Sequence, residues 1–312
     1  MKTKFDTAEL LNEIEMRFGK TVTPSEIKKK YCYERSIFRT AADLFYGDTD
    51  DFDIIKIKSG KTPFIIFING FLTADQKDNN HWKSQLELLY PENAWFHLNW
   101  NSKQLMELGT YIGGMAGKVS ISLLTASAEK KLMKTLLQEI AVPIAPVAVV
   151  AHDLIRNPWH QALYRAEQTG KLLAEYLYRN SSRSYILMGH SLGARVIFYA
   201  LYILASNKYK SIVEEARLMG GAVGVKPVTD WKLCAKTTRN GIFNYYTEND
   251  MILKMLYRTA SFFTSEPIGI QSVSCKGIRD RDCSEFVDSH SGYIENLYEL
   301  CQLNLFGKKG IL

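Results

Sequence analysis

The sequence predicts an α/β fold, a mostly parallel sheet with helices on both faces, and three observations predict it. Short apolar runs suited to buried strands recur at 52–58, 63–69, 95–100, 185–188 and 241–247, with helical patterns between them. One run, Tyr185-Ile186-Leu187-Met188, passes straight through Gly189-His190-Ser191-Leu192-Gly193 into a helical pattern from Leu192 to Ser206. A chain of 312 residues with 46% hydrophobic content can bury a large core, and this length favours one α/β domain with additions over two domains.

Taken in order, residues 1–50 read as a helical accessory segment ahead of the main domain. Leu10, Leu11, Ile14 and Phe18 share one helical face, and Thr23-Pro24-Ser25-Glu26 is a capping box with proline at the first helical position. Asp48, Asp50, Asp51 and Asp53 crowd the next turn. A calcium loop of the EF-hand type would need glycine and glutamate where Asp53 and Ser59 stand, so the aspartates read as a solvated turn. Residues 51–312 form the main domain. After strands at 52–58 and 63–69, a helix around 81–89 and a strand at 95–100, a helical insertion is expected at about 101–159, longer than a crossover needs. Its apolar run from Ile140 to Ala151 falls short of the roughly 20 residues that cross a bilayer. It is expected to pack on the domain; a cover over the active site and contact with a membrane surface are the alternatives.

Gly189-His190-Ser191-Leu192-Gly193 is the nucleophile elbow of a hydrolase-type α/β fold, in its proper strand-to-helix setting. The turn is so tight that the residues two before and two after the serine can carry no side chain. Ser191 is thereby expected in a strained, exposed position at a helix N-terminus, where backbone N–H groups and the helix dipole favour negative charge. A serine hydroxyl becomes a nucleophile only beside a general base that a third group orients. On this fold the acid and then the histidine follow the serine in chain order. His290 is the only histidine beyond Ser191, in a polar loop ahead of an amphipathic helix bearing Ile294, Leu297, Leu300 and Cys301 on one face. Asp250 is chosen as the acid because Glu248-Asn249-Asp250 directly follows the strand at 241–247; Glu248 is the reserve, and Asp288 is too near His290 in sequence. The oxyanion hole takes one N–H from the residue after the nucleophile, Leu192, and one from the loop after an earlier strand. That loop opens with Asn69-Gly70, which selects Phe71 with Leu72 as the alternative.

Ile68-Asn69-Gly70-Phe71, the elbow through Ile197, Gly220-Gly221-Ala222 and Asn249-Asp250-Met251-Ile252-Leu253-Lys254 with Tyr257-Arg258 together resemble one family. So do Gly269-Ile270-Gln271 and Val287-Asp288-Ser289-His290-Ser291-Gly292-Tyr293. The family is domain of unknown function 726, the relatives of transmembrane and coiled-coil domain protein 4, and the similarity covers about residues 60–305. The resemblance implies a serine-hydrolase fold with Ser191, Asp250 and His290 as the matching triad, and it names no substrate. Members often carry transmembrane helices between the fourth strand and the elbow, where this sequence departs.

Five scattered cysteines without a paired spacing suggest neither a disulfide framework nor a zinc site, and fit a reducing compartment. The N-terminus has no apolar core of a signal peptide, so a cytoplasmic protein is expected, with peripheral membrane contact through the insertion as an addition. A net charge of +6, not gathered in one block, gives little support to nucleic-acid binding. No phosphate-binding glycine motif is present, and no cofactor or metal is expected. The expected function is a cofactor-independent serine hydrolase cleaving a small-molecule or lipid carboxylic ester through an acyl-enzyme on Ser191. The alternative is a catalytically silent hydrolase-fold scaffold used for binding or membrane association.

Overall fold

The computed structural model describes residues 2–4, 52–70, 79–100, 158–226, 228–259 and 265–302, with the backbone alone at 2–4 and 258–259. Apart from residues 2–4, the helical segment expected before residue 51 lies outside these residues, as do Phe71, Leu72 and the insertion up to residue 157. Strands are β1 (Lys2–Lys4), β2 (Phe52–Lys58), β3 (Lys61–Ile68), β4 (Asn93–Trp100), β5 (Tyr185–His190), β6 (Val213–Met219), β7 (Ile242–Tyr246) and β8 (Ile278–Asp282). Helices are α1 (Asn80–Leu89), α2 (Pro158–Arg179), α3 (Leu192–Ser206), α4 (Val228–Ala235), α5 (Met251–Thr259), α6 (Gly292–Glu295) and α7 (Leu297–Gln302).

The strands form one sheet in the order β1-β2-β4-β3-β5-β6-β7-β8. β2 runs antiparallel to both β1 and β4, and every pairing from β4 to β8 is parallel. Parallel strands covered on both faces must be apolar on both, and all six residues of β5 are buried. Successive side chains alternate between two cores. Ile66, Ile68, Tyr185 and Leu187 join the cluster under α2, α3, α4 and α5. Ile65, Phe67, Ile186 and Met188 join the one under α1, α6 and α7. With the elbow following β5, this is an α/β-hydrolase-type fold, as the sequence predicts.

The differences from the sequence reading lie at β6, whose apolar run is broken by Glu214, Glu215 and Arg217, at the sheet edges and at the C-terminus. Residues 2–4 form an antiparallel edge strand where a helical segment is expected; Lys-Thr-Lys pairs through its backbone and carries no apolar signal. β8, Ile-Arg-Asp-Arg-Asp, is also an edge strand, and its charges hide it from a hydrophobicity pattern. The single C-terminal helix is two short ones. They part at Asn296, whose side-chain amide donates to the carbonyl of Gly292 at 2.8 Å. Ile294, Leu297, Leu300 and Cys301 are nevertheless all buried together, as the periodicity predicts.

Candidate active site

Because β3, β5 and β7 are parallel, their C-terminal ends open on one edge of the sheet and deliver Asn69-Gly70, Ser191 and Thr247–Asp250 there. Ser191 has φ 55 and ψ −116, a conformation an L-residue adopts only when its surroundings hold it. They do so through its backbone. Its N–H donates to Met219 O at 2.9 Å, and its carbonyl accepts from the N–H groups of Ala194 and Ala222, each at 3.1 Å. A Cβ at Gly189 would lie 2.6 Å from the carbonyl carbon of Gly193, and one at Gly193 would strike the carbonyl oxygen of Ile68. The elbow therefore requires both glycines.

Ser191 is buried, at 0% exposure, rather than exposed as expected, and Gly70 packs closely against it. A Cβ at Gly70 would stand 2.5 Å from Ser191 Cβ and 3.2 Å from its Oγ. The Ser191 hydroxyl makes no hydrogen bond among the described residues. Leu192 begins α3, so its N–H belongs to a first turn whose amides have no acceptor within the helix.

His290 and Asp250 meet although 40 residues separate them: Nδ1–H of the imidazole donates to Asp250 Oδ2 at 2.6 Å, and both side chains are fully buried. The other carboxylate oxygen, Oδ1, accepts the N–H of Leu253 at 2.9 Å. Asp250 thus caps α5 with one oxygen and meets the histidine with the other, so its orientation is fixed. Glu248 and Asp288 are exposed. Thr247 ties the β7 end to the His290 loop by donating from Oγ1 to Val287 O at 3.1 Å. On the other side His190, next to the serine in sequence, reaches the main-chain oxygen of His290 at 2.7 Å. The structure therefore brings His290 and Asp250 together beside the elbow, but no hydrogen bond joins Ser191 Oγ to His290 Nε2, so of the expected serine–histidine–aspartate chain only the second link is formed.

A second buried network, which no local pattern announces, holds Asn69. The indole N–H of Trp82 donates to its Oδ1 at 2.5 Å, and that of Trp100 to its main-chain oxygen at 3.1 Å. Its amide donates to Asn79 Oδ1 at 3.0 Å and faces His97 Nε2 at 3.4 Å. Burial holds the His97 imidazole down at about 4, so it is neutral and can accept from an amide. The backbone entering Gly70 is thus clamped from several directions.

Chemically, a carboxylate on Nδ1 stabilises the imidazole tautomer whose Nε2 is a base, and the ring lies against His190, the residue next to the strained serine. Among the described residues no group of His, Cys, Asp or Glu could hold a metal ion, and no helix is long and apolar enough to cross a membrane.

The chain is similar to the transmembrane and coiled-coil domain-containing protein STS1 of Oryza sativa subsp. japonica, with 31% identity over 254 residues, 79% of this chain and 37% of that protein. It is 28% identical to the probable lipase MIL1 of Saccharomyces cerevisiae over 76% of this chain and 22% of that protein. It thus spans well under half the length of either relative. Among solved structures, carboxylesterase CesB of Bacillus subtilis superposes with a TM-score of 0.34 and 13% identity over 88% of this chain and 98% of its own. The fold assignment rests on the strand order and elbow of the chain itself. The model of the family described as protein of unknown function (DUF726) matches residues 39–305, and the chain belongs to that family.

Proposed function

We propose that the protein is a serine hydrolase that cleaves a carboxylic ester through an acyl-enzyme on Ser191. The observation that carries this reading is the 2.6 Å contact of His290 Nδ1 with Asp250 Oδ2, both fully buried beside the elbow. Ser191 Oγ attacks the acyl carbon while His290 Nε2 takes its proton, and Asp250 holds the imidazolium that forms. The oxyanion is bound by the N–H of Leu192 and by that of Phe71, which follows Gly70 in sequence. His290 then gives the proton to the departing alcohol. Water repeats the sequence on the acyl-enzyme, releasing the acid and restoring Ser191.

The reading extends to a lipid ester as substrate, in a cytoplasmic protein that touches membrane peripherally. Support comes from one relative named a probable lipase and another named a transmembrane protein. A series of p-nitrophenyl esters of graded chain length tests it: preference for long acyl chains supports a lipid substrate, and preference for acetate opposes it.

A fluorophosphonate probe tests the chemistry. Wild-type protein should be labelled covalently, and Ser191→Ala, equally folded, should not. Folded wild-type protein that never labels would overturn the hydrolase reading in favour of a silent scaffold.

A further inference from the structure

The residue ahead of the nucleophile is a fully buried histidine, at a place where the elbow motif accepts any side chain. His190 ends β5, and alternation along that strand turns its side chain toward the face covered by α1, α6 and α7. There its ring lies 4.8 Å from the His290 ring, centroid to centroid, and 5.8 Å from that of Tyr293. Its Nε2 stands 2.7 Å from the main-chain oxygen of His290, across 100 residues of sequence. A carbonyl only accepts, so the proton is on Nε2. Nδ1 has no hydrogen-bond partner among the described residues.

The ring is neutral on geometry alone, since a second proton would sit on a buried Nδ1 with nothing to receive it. Burial, and after it the neighbouring His290, depresses the imidazole to about 3. Neutrality matters because a second cation so close would oppose the positive charge that His290 acquires during acyl transfer. The bond also goes to the backbone of His290 itself. The strand end that presents Ser191 therefore holds the main chain of the base.

We propose that His190 is a positioning residue for the general base: its Nε2–H anchors the His290 main chain and its ring backs the imidazole that Asp250 holds from the other side. The inference rests on the hydrolase reading above and adds to it a residue outside the triad.

Three substitutions test it. His190→Phe keeps a ring and removes the donor; His190→Gln places an amide N–H near the Nε2 position; His190→Asn carries the same amide on a shorter arm. Per folded molecule, Phe and Asn should lower kcat on a p-nitrophenyl ester about 10- to 100-fold with KM unchanged, the scale of a misplaced catalytic group, and Gln should restore most of it. A readout that needs no turnover is the downfield proton resonance of the His290–Asp250 hydrogen bond, recorded in a Ser191→Ala background. It should persist with Gln and broaden or move upfield with Phe and Asn. Wild-type kcat and an unchanged resonance in the Phe and Asn variants, even with a lowered melting temperature, would reduce His190 to packing. Wild-type protein that neither turns over nor labels would overturn the hydrolase reading, and the resonance would still decide the positioning role. Should His190→Phe fail to fold, the Gln and Asn pair gives the same comparison.

Discussion

Asp250→Asn is the substitution whose effect the geometry defines most narrowly. In the wild type Oδ1 accepts the Leu253 N–H at 2.9 Å while Oδ2 accepts from His290 Nδ1 at 2.6 Å. An amide has one oxygen, and the backbone N–H of Leu253 can only donate, so the oxygen is required on that side. The NH₂ then faces His290, where it can donate only to an unprotonated Nδ1. The imidazole proton moves to Nε2, and on the proposed mechanism the base loses the lone pair that would take the serine proton. The reverse orientation sets amide hydrogens against the Leu253 N–H inside a fully buried site, which costs more than the tautomer change. The corresponding change in a serine-protease triad lowers kcat about 10⁴-fold. We therefore expect a fall of that order here, about 5 kcal/mol of transition-state stabilisation, with KM and melting temperature nearly unchanged. The assay is steady-state hydrolysis of a p-nitrophenyl ester beside Glu248→Gln, an exposed carboxylate whose removal should leave kcat within about twofold because surface charges act weakly. Asp250→Asn retaining kcat within tenfold of wild type, or Glu248→Gln losing more than Asp250→Asn, would refute the argument.

Gly70→Ala should abolish fluorophosphonate labelling, since its Cβ would stand 2.5 Å from Ser191 Cβ and 2.9 Å from the carbonyl oxygen of His190. It should also lower stability by about 1–3 kcal/mol in urea unfolding; normal labelling would contradict the close approach. Trp82→Phe preserves the ring stacked on Phe67 but strips Asn69 Oδ1 of its indole donor, and should cost about 1–3 kcal/mol by the same measurement. A neutral effect would show that the Asn69 clamp has little energetic weight. Burial depresses His97 and His160 to about 4 and His190 to about 3, with Arg195 adding to the effect at His160 and His290 at His190. Below about 6.5 the unfolded chain takes up protons that the fold refuses, so stability is full above that pH and falls toward pH 4, by up to about 1.4 kcal/mol per pH unit for each histidine. Urea midpoints at pH 7 and pH 5 measure the slope, which His97→Gln should reduce; identical midpoints would count against burial of these rings.

What could be read from the sequence follows from how local each constraint is. β5, β7 and the second half of β3 are buried on both faces, and such segments show as apolar runs, broken in β7 only by Asn244. The elbow is legible because its steric requirement falls within five residues, and the meeting of His290 with Asp250 because chain order leaves one histidine and the strand at 241–247 singles out Asp250 among several carboxylates. β1 and β8 escape notice since an edge strand needs only a backbone partner. His190, Thr247, Trp82 and Trp100 escape for another reason: their contacts to His290, Val287 and Asn69 span from 13 to 100 residues, and no periodicity encodes such a meeting.

The distribution of buried polar groups bears on the choice between enzyme and scaffold. Asn69, Asn79, His190, Ser191, Thr247, Asp250 and His290 are all buried and follow the ends of β3, β5 and β7 or line the loops against them. Burying such groups is costly unless they are bonded, and a sheet edge needed only for packing is more stable when apolar. Most of these residues are bonded, and most of the bonds run to another chain segment: Asn69 to Trp82 and Trp100, His190 to His290, Asp250 to His290 as well as to Leu253 in the helix it caps. Some costs stay uncompensated among the described residues: the positive φ of Ser191, and the buried Ser191 Oγ, His190 Nδ1 and His290 Nε2 without a hydrogen bond. Strain and an unbonded polar group at one residue, surrounded by a bonded network, are the energetic pattern of a site organised in advance for a reacting group. A scaffold would gain stability by relaxing that serine, so substitutions at Ser191 that preserve the fold while raising its melting temperature would be the thermodynamic counterpart of lost labelling.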